Sequence, residues 1–133
     1  MRQAPCGLVE ARERIEYARQ QMLLAEAAEP WHTVAERKAS GAAAVLAAIA
    51  ASDALCCMRL GARSRDGDHR AAVAMVSSIE PDGKKLARKL NAVLDAKDPM
   101  HYSSEYMSAD RHRTVMRAAQ HLLAAAEAHL RRP

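Results

Sequence analysis

The stretch from Lys97 to Tyr102 places a cation, a carboxylate (Asp98), an imidazole (His101) and a phenol (Tyr102) around one proline, Pro99. Few other parts of this alanine-rich chain gather so many polar groups so closely. An imidazole, with a pKa of about 6.5, suits proton transfer at neutral pH. A lysine ammonium offers phosphate a point charge, though not the fork of a guanidinium. A phenol, with a pKa of about 10, is a poor base unless strongly shifted. Asp53 joins this set from another helix, on an inward stripe where a hydrophobe is expected. A buried carboxylate needs a partner: either Asp53 reaches Lys97 or His101 across the bundle and orients them, or it makes a structural bridge or lies at the rim of a drifted stripe. Lys97, His101, Tyr102 and Asp53 are therefore the candidate catalytic residues.

Two further sets carry charge. Lys84, Lys85, Arg88 and Lys89 pair at helical spacing and form a basic edge, either a solvated face or a nucleic-acid contact. Four phosphate contacts there would give a log–log salt slope of about −3 to −4. Arg63 and His69, with five residues between them, are secondary candidates. The net charge of +4 is compatible with an anionic partner without requiring one. Aromatic residues make up only 3% of the chain, with no Phe, which argues against stacking of unpaired bases. No clustered Cys/His spacing suggests a metal, and no cofactor is expected. Cys6, Cys56 and Cys57 read as free thiols in a reducing compartment, since neighbouring cysteines pair poorly with each other. The longest apolar run, Ala42–Ala51, is too short to span a bilayer, and no secretory h-region follows the N-terminus. A cytoplasmic protein with no membrane partner is expected.

These groups must be held by helices. At 133 residues the chain suits one domain with one core, spanning 1–133. Leu8, Ala11, Ile15, Ala18, Met22 and Ala25 alternate spacings of three and four, which predicts a helix from about Leu8 to Ala28. Thr33-Val-Ala-Glu36 is a capping box that opens a second helix, and Gly61 is its left-handed stop. The stripe of that helix reads Ala42, Leu46, Ile49, Asp53, Cys56 and Leu60. Asp68 caps a short third helix, and Pro81-Asp-Gly83 marks a turn. A fourth helix points Leu86, Leu90, Val93 and Leu94 inward. Ser108 caps a last one carrying Val115, Ala119, Leu122, Ala126 and Leu130. No strand-period segment competes, so the expected fold is all-α, an up-and-down bundle of four to five helices. Ala43, Ala47, Ala50, Ala51 and Ala54 form a small-residue face suited to close packing against a second subunit. Trp31 reads as a subunit anchor or a lid over the core.

Three segments carry a resemblance to a known superfamily. They are Ala51-Ser-Asp-Ala-Leu55, Leu94-Asp-Ala-Lys-Asp98 through His101-Tyr102, and Ala118-Ala-Gln-His-Leu-Leu-Ala-Ala-Ala126. With two long helices, a short pair, a polar junction and a long final helix, the chain resembles the HEPN superfamily (higher eukaryotes and prokaryotes nucleotide-binding domains). The resemblance covers nearly the whole length through short motifs. Many members are metal-independent ribonucleases, often toxins with a cognate antitoxin, marked by an Arg, four to six residues, then a His near the fourth helix. Others are binding or partner modules. Here Lys97 stands in the arginine's place and His101 follows after three residues. Arg63 and His69 match the spacing, but they flank the second inter-helix loop. The resemblance thus implies a HEPN-like module that binds nucleotide or RNA, with a degenerate, weak or absent ribonuclease site. It also implies a homodimer with a shared groove. The alternatives are an active ribonuclease toxin with its antitoxin, or a non-catalytic bundle that binds a protein partner.

Overall fold

The structure, a computed structural model, describes residues 3–65, 68–97 and 107–132. Among these lie five helices and a two-stranded ribbon: β1 (Gln3–Pro5), α1 (Leu8–Glu26), α2 (Val34–Leu60), β2 (Ala62–Ser64), α3 (His69–Ser77), α4 (Gly83–Asp95) and α5 (Ala109–Leu130). The helical class matches the sequence expectation. Asp98, His101 and Tyr102 lie outside the described residues.

The start of α2 is set by local chemistry. Thr33 Oγ1 accepts from the Glu36 amide at 3.0 Å, and the Glu36 carboxylate accepts from the Thr33 amide at 2.8 Å. Both ends of the predicted capping box are made. Gly61 closes the helix at φ 71°, a left-handed conformation in which a side chain would be strained. Asp68 and Ser108 cap α3 and α5 through the amides of Ala71 and Arg111.

α2 is the central rod, packed by α1 and α5 along its length and touched by α3 and α4. Its alanines Ala44, Ala47, Ala48, Ala50, Ala51 and Ala54 are fully buried. Small side chains let the neighbouring axes come close on several sides at once. This corrects the expected subunit face: Ala47, Ala50, Ala51 and Ala54 are consumed inside the chain. It also corrects the expected stripe, because Leu46 and Leu60 are 39% and 41% exposed. A one-face stripe does not describe a helix enclosed on most of its circumference. By length and composition α2 could cross a membrane, yet 72% of its most apolar window is buried in the bundle. Its hydrophobicity is accounted for by its neighbours. Of the predicted inward faces, Ala11 to Ala25 of α1, Leu86, Leu90 and Val93 of α4, and Val115, Ala119, Leu122 and Ala126 of α5 are buried, whereas Leu94 and Leu130 are half-buried and Leu8 is exposed.

The ribbon was not expected. β1 and β2 pair antiparallel, with Gln3 opposite Ser64, Ala4 opposite Arg63 and Pro5 opposite Ala62. Cys6 continues the pairing through a 3.0 Å bond from its amide to the Gly61 carbonyl, and its sulfur is bonded to Cys57. The expectation of three free thiols is therefore wrong for two of them. The partner of Cys57 is not its neighbour but a residue brought alongside by the ribbon. Cys56 stays outside the disulfide; burial, with Asp53 close by, pushes its thiol up to about 12. The ribbon pins the polar segment Arg63-Ser64-Arg65 against the bundle.

Candidate functional site

Where β2, α2 and the start of α3 meet, a cavity of about 240 Å³ opens to the surface. α1 contributes Arg14, α2 contributes Ser52 and Asp53, the strand and its exit contribute Arg63, Ser64 and Arg65, and α3 contributes His69. Ile49, Ala72, Leu90 and Leu94 form the apolar part of the wall. Three guanidiniums thus surround one carboxylate, and the surplus is positive.

Asp53 is 8% exposed and, among the described residues, takes its ion pair from α1 rather than from Lys97: Arg14 Nη2 lies 3.4 Å from Asp53 Oδ2. Burial pushes its carboxyl above the ordinary range, partly opposed by Arg14 and Arg63. Arg14 also lies over the Tyr17 ring at 5.2 Å, and its Nε is buried without a hydrogen-bond partner. Ser52 Oγ is buried and likewise unpartnered.

Lys97 reaches the site by way of His69, with Nζ 3.1 Å from Nε2. An ammonium can only donate, so Nε2 accepts and the ring proton sits on Nδ1. Burial and the Lys97 charge push the His69 pKa down, partly opposed by Asp68. The neutral ring's one lone pair is held by Lys97. In this arrangement the imidazole is a donor rather than a base.

The sequence candidates therefore separate. Asp53, Arg63 and His69 line one cavity, and Lys97 joins it through His69. His101 and Tyr102 fall outside the described residues. Lys84, Lys85 and Arg88 stand exposed on α4 and Lys89 is half-buried. Lys84 and Arg88, with Arg70 of α3, border an open groove of about 760 Å³ between the two helices. Arg14, Ser52 and Arg65 were missed. Arg65 carried no signal of its own, because the strand Ala62–Ser64 that sets its place is too short to read from the sequence. Arg14 carried no signal, because its partner is 39 residues away on another helix.

A second polar cluster, also missed, joins the start of α2 to α5. Arg37 is buried and donates to the carbonyls of Met107 (2.8 Å), Trp31 and His32 (3.2 Å each). Ser40 Oγ gives its proton to the Ala25 carbonyl at 2.6 Å, so it accepts from His112 Nε2 at 2.8 Å. Trp31 donates to the same carbonyl and meets the His112 ring edge-on at 4.8 Å. These hydrogen bonds tie the end of α1, the start of α2 and α5 together. Trp31 is a lid.

No protein-family model matches the chain, and no curated protein matches its sequence. Among the described residues no group of three His, Cys, Asp or Glu is placed to hold a metal ion.

Proposed function

We propose that this chain is a HEPN-like helical module that binds RNA or nucleotide through phosphate, with a ribonuclease activity that is weak or absent. The observation that carries the reading is the gathering of Arg14, Arg63, Arg65 and His69 around one cavity. Guanidiniums hold phosphate oxygens in paired, charge-assisted hydrogen bonds, and a partly enclosed site screens them less than open water does. The basic residues Arg70, Lys84 and Arg88 on the neighbouring groove supply further contacts for a longer polyanion. The weak-nuclease part follows from His69. Metal-independent cleavage needs a base for the 2′-hydroxyl, and the His69 lone pair is already taken by Lys97.

A nucleic-acid ligand goes with a cytoplasmic setting. The Cys6–Cys57 bond gives that setting no support, since disulfides persist chiefly in oxidising compartments.

The test is fluorescence anisotropy of a labelled RNA oligonucleotide at low salt, followed by incubation of the RNA in EDTA. Binding that weakens steeply with salt, and about tenfold in Arg63→Ala, is expected, with the RNA left intact. Release of 2′,3′-cyclic phosphate ends would replace this reading with the ribonuclease one. No binding at low salt would leave the protein-interaction bundle.

A further inference from the structure

The cavity floor does not suit a bare phosphate. Asp53 puts a carboxylate there, and a phosphate seated against it would meet like charge. Beside it, Ser52 is 1% exposed, and its Oγ makes no hydrogen bond. A serine inside a helix ordinarily returns its proton to a carbonyl one turn back, so a buried, unpaired hydroxyl at a cavity wall is a group awaiting a partner. Its neighbours Ala50, Ala51 and Ala54 are fully buried alanines, so packing alone would be served by alanine at position 52 as well. Arg14 occupies Asp53 Oδ2, and no hydrogen bond among the described residues takes Oδ1.

A ligand that satisfies both floor and walls must carry a phosphate and, one sugar away, a hydroxyl that can donate and accept together. The ribose 2′-hydroxyl is such a group, and it is what distinguishes RNA from DNA. We propose that Ser52 and Asp53 form a ribose-hydroxyl subsite that makes the cavity selective for ribonucleotides over deoxyribonucleotides. Ser52 Oγ donates to the 2′-oxygen, the 2′-hydroxyl donates to Asp53, and the arginines hold the adjacent phosphate. This rests on the phosphate-binding reading above. At about 240 Å³ the cavity lies below the range of about 300–1,000 Å³ usual for whole small-molecule ligands. One sugar–phosphate unit enters and the base stays at the rim, so recognition is independent of base identity.

The experiment compares a labelled oligouridylate with its deoxyuridine counterpart, identical but for the 2′-hydroxyls, by anisotropy at low salt on the full chain. The wild-type protein is expected to bind the RNA about fivefold more tightly, the worth of roughly one net hydrogen bond. Ser52→Ala should lower RNA affinity by about that factor and bring the RNA-to-DNA ratio toward one. Its melting temperature should be unchanged or raised, because a buried unpaired hydroxyl has been removed. A serine with only a structural role would lower the melt on substitution and leave the ratio alone. Equal binding of the two strands, or a ratio that survives Ser52→Ala, overturns the hydroxyl subsite while the phosphate reading stands. Failure of both strands to bind overturns the two together.

Discussion

Asp53 is held at a cost to the fold. Burial raises its carboxyl pKa, and the arginines only partly offset that. A carboxyl raised in the folded state binds its proton more tightly there than in the unfolded chain, whose value is about 3.9. Its contribution is therefore favourable at low pH and is lost as pH rises through the folded pKa. Asp53→Asn keeps the shape without the charge and leaves Arg14, whose side chain is 32% exposed, without its ion-pair partner. It should melt above wild type at pH 7, with the gap closing as pH falls toward about 4. Burial pushes His69, His112 and His129 down, so both proteins lose stability as pH drops below about 6.5, and the difference between them is the quantity to read. A lower melting temperature for Asp53→Asn at pH 7 would show that the Arg14 pair supports the fold. Asp53 was legible in the sequence because a carboxylate interrupted an apolar stripe. Its partner was not, because helical spacing says nothing about which residue of another helix stands opposite.

Helix ends were the most legible elements, since a cap depends on residues three apart. Thr33 with Glu36, Asp68, Ser108 and Gly61 all act where their local chemistry placed them. Gly83 is different. The sequence marked it only as part of a turn, whereas a Cβ there would lie 2.5 Å from the Val76 carbonyl oxygen and 2.8 Å from that of Ser77. The first turn of α4 approaches the end of α3 more closely than any side chain allows. Both obstructing atoms are backbone, so Gly83→Ala must push the two helices apart. The expected loss is about 2 kcal/mol, within the range for overpacking, read as a lower urea midpoint. An unchanged midpoint would mean that the α3–α4 junction yields freely. The two short strands escaped the sequence reading because three residues are too few to establish an alternating period.

Across the whole molecule, the Cys6–Cys57 bond closes a loop with a sequence separation of 51 and ties the N-terminal strand to the central helix. Chain-entropy reasoning assigns such a bond about 4 kcal/mol. Urea unfolding with and without a thiol reductant should show a midpoint lowered accordingly, and Cys6→Ser should match the reduced protein. Coincident curves would show that the bond does not form in solution. Because β1 also pairs with the strand carrying Arg63, reduction acts on the element that presents Arg63 and leads into Arg65 at the cavity. By itself the sequence determined the helices, most of their caps and most of the inward faces of α1, α4 and α5, since these follow from spacing within a few residues. Only the tertiary structure decided that α2 is enclosed on most sides, that Cys6 meets Cys57, and that Arg14, Ser52, Asp53, Arg63 and His69 border one cavity. Those are meetings between distant segments. They are set by how the rods pack, and the periodicity of any one rod is the same whichever neighbour it faces.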